Sequence, residues 1–341
     1  MPQKILVTGG AGYIGSHTVI ELAQEGYEPV IIDNFSNSNP EVIGRLEQIL
    51  GRPVKCYTGN VEDRQRLREI FEEEKDISGA IHFAAYKAVG ESVEKPLAYY
   101  NVNLGSTLSL LEVMLEFGAG DLVFSSSCTV YGEPDHLPVT EESPRKPAES
   151  PYGNTKQMCE DFIRDTVTGR APLKGISLRY FNPVGAHPSA LIGELPLGVP
   201  ANLVPFITQT AAGIRKELTV FGSDYNTADG SCIRDYIHVV DLARAHVSAL
   251  EYLEKQPEEP FYDIFNVGVG RGYTVLEVIN AFEKVTGNKL NYSIGDRRTG
   301  DIEKIYADTT KSEQVLGWHA KLTLEDALKD AWQWQQTLKN E

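Results

Sequence analysis

Cysteine is scarce: the 341-residue chain holds four, Cys56, Cys128, Cys159 and Cys232, with no C-x-x-C pair. That spacing argues against a metal-ligand set and a disulfide framework, and fits reduced thiols of a cytoplasmic protein, so no metal is expected. No run approaches the roughly 18 consecutive apolar residues of a membrane span. The N-terminal apolar stretch stops at Thr8-Gly9-Gly10, too soon for a signal-peptide core. Basic residues are in deficit, with 32 Lys+Arg against 48 Asp+Glu and a formal net charge of −16. Such a surface repels nucleic acid and anionic lipid, because counterion release needs a basic face. Neither nucleic acid nor membrane is an expected partner, and an anionic substrate has to be met by a local cluster of Arg or Lys.

Short apolar runs recur at Ile5-Leu6-Val7, Val30-Ile31-Ile32, Ala80-Ile81-His82-Phe83, Leu122-Val123-Phe124 and Ile176-Ser177-Leu178, separated by segments of helical period. Nearly continuous apolar strands alternating with amphipathic helices predict a parallel sheet covered on both faces. The fold class is therefore α/β, a Rossmann-type doubly wound parallel sheet. Pro134, Pro138, Pro144, Pro147 and Pro151 punctuate one long loop over the sheet, and residues 183–231 are rich in Gly, Pro and Asn. The expected organisation is a nucleotide-binding domain over 1–182, to which the chain returns near 235–270. Residues 183–341 then form mainly a smaller C-terminal α/β substrate lobe.

The first run leads into Thr8-Gly9-Gly10-Ala11-Gly12-Tyr13-Ile14-Gly15, a strand, a glycine turn and a helix start. Glycines there let backbone N–H groups approach a pyrophosphate, and the helix N-terminus adds partial positive charge. Glycine turns also serve as plain strand–helix connections. What raises this one is Asp33, 18 residues past Gly15 at the end of the second run. A carboxylate there bonds both ribose hydroxyls and repels a 2′-phosphate, which favours NAD over NADP.

Ser150-Pro151-Tyr152-Gly153-Asn154-Thr155-Lys156 reads as a helix start, with Ser150 as N-cap and Pro151 at the first helical position. Tyr152 and Lys156 then share a face. The Lys charge would lower the phenol pKa, so that Tyr152 acts as a general base near neutral pH. A surface helix can also carry such a pair by chance. The cluster Ser125-Ser126-Ser127, at the end of the 122–124 run, favours the functional reading, because ligands sit at the carboxyl ends of such strands.

Taken together, T-G-G-A-G-Y-I-G-S-H, S-S-S-C-T-V-Y-G and S-P-Y-G-N-T-K resemble the extended short-chain dehydrogenase/reductase family. The stretches at 83–92, 178–188 and 234–239 are similar to its branch that inverts C4 of UDP-hexoses. The resemblance runs from Ile5 to Trp332-Gln333-Trp334. It implies reversible conversion of UDP-galactose and UDP-glucose through a 4-keto intermediate, with tightly bound NAD+ and Tyr152 as base. Ser127, Tyr152 and Lys156 would be the catalytic set. Gly9, Gly12, Tyr13, Ile14, Asp33, Asn34, Asn60, Val61, Phe83, Ala84 and Ala85 would hold NAD. Lys87, Asn103, Phe181 and the catalytic residues would surround its nicotinamide end. Asn182, Asn202, Leu203, Phe221, Arg234, Arg298 and Asp301 would bind the UDP, with Lys87, Ser127 and Tyr152 on the substrate side. The resemblance also implies a homodimer.

Departures from the family pattern mark where its implications weaken. Asn60 stands where Asp is usual at the adenine edge, Thr155 replaces Ser in Y-G-x-S-K, and Cys128 replaces a small residue. Ile305 occupies the position that gates the sugar 2-substituent; its intermediate size leaves UDP-N-acetylhexosamines as a second possible substrate. Cys128-Thr129 replaces the Asp-Glu pair a 4,6-dehydratase needs. Inversion of UDP-uronic acids and a non-catalytic NAD-sensing protein are the remaining alternatives.

Overall fold

The computed structural model describes residues 2–298 and 302–340. Its first half alternates strand and helix. The chain runs through β1 (Lys4–Thr8), α1 (Tyr13–Gln24), β2 (Glu28–Asp33), α2 (Glu41–Leu50), β3 (Lys55–Thr58), α3 (Arg64–Glu74) and β4 (Ile77–His82). It continues with α4 (Val89–Glu94), α5 (Pro96–Phe117), β5 (Asp121–Ser125), α6 (Pro151–Thr168) and β6 (Lys174–Tyr180). The five apolar runs form β1, β2, β4, β5 and β6, buried on both faces.

Past β6 the elements shorten. They are β7 (Asn182–Val184), α7 (Leu203–Ala211), β8 (Leu218–Phe221), β9 (Ile233–His238), α8 (Val239–Glu254) and β10 (Phe261–Val267). Then come β11 (Gly272–Thr274), α9 (Val275–Thr286), β12 (Tyr292–Gly295), β13 (Lys304–Ile305) and α10 (Leu324–Asn340).

A seven-stranded parallel sheet has the order β10-β6-β5-β4-β1-β2-β3. The strand order reverses between β1 and β4, which opens a crevice at their carboxyl ends. One core packs under α1, α2 and α8 around Ile5, Val7, Ile31 and Leu250, and a second fills the opposite face around Leu6, Leu67, Met114 and Leu122. The smaller lobe has a four-stranded sheet in which β9 pairs with β7, β11 and β13, and a β8–β12 ribbon. Its own core contains Ile207, Phe282 and Leu328. Tyr236–His238 thus lie in the small sheet, whereas Ile264–Val267 lie in β10, at the edge of the large one. Among the described residues, no helix is long and apolar enough to cross a membrane.

Candidate active site

The glycine turn begins where β1 ends. Gly9 has φ +69°, and a Cβ on it would sit 2.9 Å from the Ala84 backbone N. A Cβ on Gly15 would lie 2.3 Å from Gly9 O, so side chains at both positions are excluded by the chain's own fold. Gly12 caps α1 without a side-chain hydrogen bond, and the first turn carries no acidic residue. The N–H groups opening α1 are thereby left to an external acceptor.

Asp33 closes one side of this turn. Its Oδ2 accepts from Ala11 N at 3.0 Å, and its Oδ1 from Phe35 N at 2.8 Å and Ser38 Oγ at 3.1 Å. Two carboxylate oxygens offer about four acceptor positions, so a further donor finds room. Asn34 Nδ2 donates to Asn60 Oδ1 over 2.8 Å, and both residues are exposed beside buried Val61. Phe83, Ala84 and Ala85 follow β4, half-buried, with Phe83 N and Ala84 N anchored on Thr8. His82 beneath them is buried and bonded at both ring nitrogens, to Thr8 Oγ1 (2.7 Å) and Thr107 Oγ1 (3.2 Å). Burial pulls it down to about 3, so it is neutral at physiological pH.

On the other side of the crevice, Ser150 caps α6 by accepting from Gly153 N at 3.2 Å. This start places Tyr152 and Lys156 on the inner face of α6, 6% and 3% exposed. Lys156 Nζ donates to Ser125 O at 2.7 Å and lies 5.9 Å from the Tyr152 ring. Burial pulls its ammonium down to about 8. The Tyr152 phenol is pushed well above its ordinary value by burial, with Tyr180 adding to the shift and a hydrogen bond to Ser127 opposing it. Asn103, reaching in from α5, accepts from Tyr86 N (2.8 Å) and donates to Tyr86 O (3.1 Å) and Thr155 Oγ1 (2.9 Å). Phe181, Cys128 and Ile305 pack together in one buried cluster.

The residues expected to bind UDP lie on the smaller lobe. Asn182 begins β7, Leu203 begins α7 just after Asn202, and Arg234 lies on β9 in register with Tyr273 and Ile305. The charge of Arg234 opposes the rise that burial imposes on the Cys128 thiol, next to Ser127 in the chain. Arg298 stacks over the exposed Phe221 ring at 5.7 Å. Asp301 lies outside the described residues.

Glu194 was not anticipated. Its Oε1 lies 3.3 Å from Lys87 Nζ and 2.6 Å from Asn202 Nδ2, bridging residues expected on the nicotinamide and uridine sides. Tyr13, under Lys87, donates to Gly185 O at 2.7 Å and so ties α1 to the segment after β7. Glu160 and Arg179 were missed as well; the i+4 step from Lys156 to Glu160 was the one available signal.

Residues 6–331 match the family model described as GDP-mannose 4,6 dehydratase. A Bacillus subtilis protein named UDP-glucose 4-epimerase is 50% identical over 99% of this chain and 98% of its own. A human protein of the same name is 48% identical over 98% of this chain and 97% of its own. The Bifidobacterium longum UDP-glucose 4-epimerase, solved in complex with NAD+ and UDP, superposes with a TM-score of 0.94 at 48% identity, covering 99% of each chain. With this likeness extending through both lobes and the crevice between them, the chain belongs to the UDP-glucose 4-epimerase family.

Proposed function

We propose that the chain interconverts UDP-galactose and UDP-glucose by inverting C4 of the hexose, with NAD+ held in the crevice of the large sheet. The observation that carries this reading is the convergence of Tyr152, Ser127 and Lys156 at the carboxyl end of β5, beside a turn that admits no side chain at Gly9 or Gly15.

The chain's groups fit NAD. Gly9, Gly12, Tyr13 and Ile14 present backbone to a pyrophosphate, Asp33 faces the ribose side of the turn, and Asn34, Asn60 and Val61 lie beyond it. The carboxylate at Asp33 disfavours a 2′-phosphate. When bound, NAD+ supplies a reversible hydride acceptor for sugar C4. Tyr152 takes the proton of the 4-hydroxyl and returns it, while Ser127 hydrogen-bonds the same oxygen. Lys156 is the chain's own cation beside the phenol and favours its ionised form. Keeping the site dry falls to the packing around Phe181 and Tyr180.

Inversion requires the hexose to present both faces of C4 in turn. The UDP must therefore be held firmly and the hexose loosely, which separates anchoring from chemistry. Asn182, Asn202, Leu203, Phe221, Arg234 and Arg298 supply the anchor. Guanidiniums at 234 and 298 suit a pyrophosphate and offset the chain's negative charge. Residues 1–182, with the return near 235–270, serve NAD, and 183–341 serve mainly the UDP-sugar. A cytoplasmic homodimer completes the reading, and light scattering tests it.

Ile305, smaller than an aromatic side chain, supports turnover of UDP-N-acetylglucosamine as well; rates on the two substrates decide this. The principal experiment adds UDP-galactose to purified protein, without NAD, and follows the sugar C4 proton by NMR. Conversion to UDP-glucose supports epimerisation and a retained cofactor together. No conversion, even with NAD supplied, overturns the proposal.

A further inference from the structure

Three successive turns of α6 each engage one serine of the Ser125-Ser126-Ser127 cluster. The Tyr152 phenol is set against the Ser127 side chain, Lys156 Nζ donates to Ser125 O, and Glu160 Oε1 accepts from Ser126 Oγ at 2.6 Å. Residues 152, 156 and 160 share one helix face, so the helix grips the serine cluster at the end of β5 at three points. The third point lies outside the proposed chemistry and is the most deeply buried: Ser126, Glu160 and Arg179 are 0%, 1% and 2% exposed.

Glu160 is held from behind. Arg179 on β6 donates through Nε to Oε1 (2.9 Å) and through a terminal nitrogen to Oε2 (2.7 Å), while Arg145 reaches Oε2 at 3.5 Å. The Arg179 guanidinium also stacks on Tyr131 at 4.8 Å, in the turn that follows Ser127. A buried ion pair contributes little net stability compared with apolar packing of the same volume, whereas a fork of this kind fixes position tightly. One face of the carboxylate takes two guanidinium N–H groups, and its Oε1 also takes the Ser126 hydroxyl.

We infer that Glu160 and Arg179 are positioning residues for inversion, acting through Ser126 to hold Ser127 against Tyr152 and the Ser125 carbonyl against Lys156. This rests on the reading of Tyr152, Ser127 and Lys156 given above. The peptide units of 125–127 are contiguous, so releasing Ser126 loosens both neighbouring contacts together. Ser127's hydrogen bond favours the ionised phenol, and its loss leaves Tyr152 protonated to higher pH. The other groups facing that phenol are Tyr180, Cys128, Tyr99 and Lys156.

The test compares wild-type holoenzyme with Ser126→Ala and Arg179→Lys. It measures kcat and KM for UDP-galactose across pH, with thermal unfolding of each variant. Ser126→Ala deletes one hydroxyl and keeps the ion pair; Arg179→Lys keeps the charge and loses the fork. The expected result is a kcat lowered about tenfold or more, KM unchanged, and the acidic limb of the pH profile displaced upward. A folded variant of either kind with wild-type kcat and an unmoved limb overturns the inference. A loss of activity that only tracks the loss of folded protein, with the limb unmoved, also overturns it. A wild-type enzyme that does not invert C4 overturns the underlying reading, and this inference with it.

Discussion

The Asn103 side chain donates to Thr155 Oγ1 over 2.9 Å, joining α5 to the helix that carries Tyr152. With both Tyr86 backbone groups also bonded to that amide, Asn103 supports the site through structure as well as through any contact with ligand. Replacing it by Ala leaves buried polar groups unpaired. Asn103→Ala should lower unfolding free energy by about 3 kcal/mol, at about 1–3 kcal/mol per unsatisfied group, as read by urea denaturation. An effect confined to nucleotide binding, with stability unchanged, would refute the structural account.

Tyr152→Phe removes the one hydroxyl proposed to carry the proton and leaves the ring in place. We expect kcat to fall roughly 10²- to 10⁴-fold, with UDP affinity by calorimetry and the melting temperature close to wild type. Retained turnover would remove Tyr152 from the mechanism.

Gly15→Ala sets a Cβ against Gly9 O and forces the turn open. The expected outcome is at least a tenfold loss of NAD affinity, about 1.4 kcal/mol, measured by titration calorimetry. Gly26→Ala is the control, because its φ of +90° is strained but nothing lies within 4 Å of the new Cβ. That change should cost about 1–2 kcal/mol of stability and leave nucleotide binding unchanged.

Acid lability follows from three buried histidines. His17 and His82 are pulled down to about 3 and His246 to about 4, all chiefly by burial. Below about pH 6.5 the unfolded chain binds protons that the folded chain refuses, so stability falls as pH drops from there towards 3–4. Each histidine contributes about 1.4 kcal/mol per pH unit at full slope. Asp235, raised to about 6 by burial, works in the opposite sense between about pH 4 and 6 and offsets one of them. Calorimetric melting temperature should therefore decline as pH falls through the histidine range. A flat profile between pH 7 and 5 would contradict the buried, neutral assignment.

The large sheet was legible because its inner strands are uninterrupted apolar runs. β3 was not, since Lys55-Cys56-Tyr57-Thr58 lies at the sheet edge and carries no such run. The small sheet escaped notice because β7, β11 and β13 have two or three residues each, too few to show a period. Among site residues, the glycine turn, Asp33 and the Ser150 cap announce themselves by residue type and spacing. Glu160 and Arg179 do not, because a charged residue reads as surface until the fold shows it enclosed. Adjacency on α6 alone predicts a lowered Tyr152 phenol, whereas enclosure raises it in the chain by itself.

The seventh strand of the large sheet, β10, pairs with β6 across some eighty intervening residues, and α8 covers α1 from the far end of the same stretch. A ribosome making this chain thus exposes β6 as an open edge, and one flank of α1 without its cover, until residue 267 has emerged. Nascent chains shorter than that should be held by chaperones or should aggregate through the unpaired 174–180 backbone. The first 182 residues, though they hold the glycine turn and Tyr152, should not behave as an independently expressible unit.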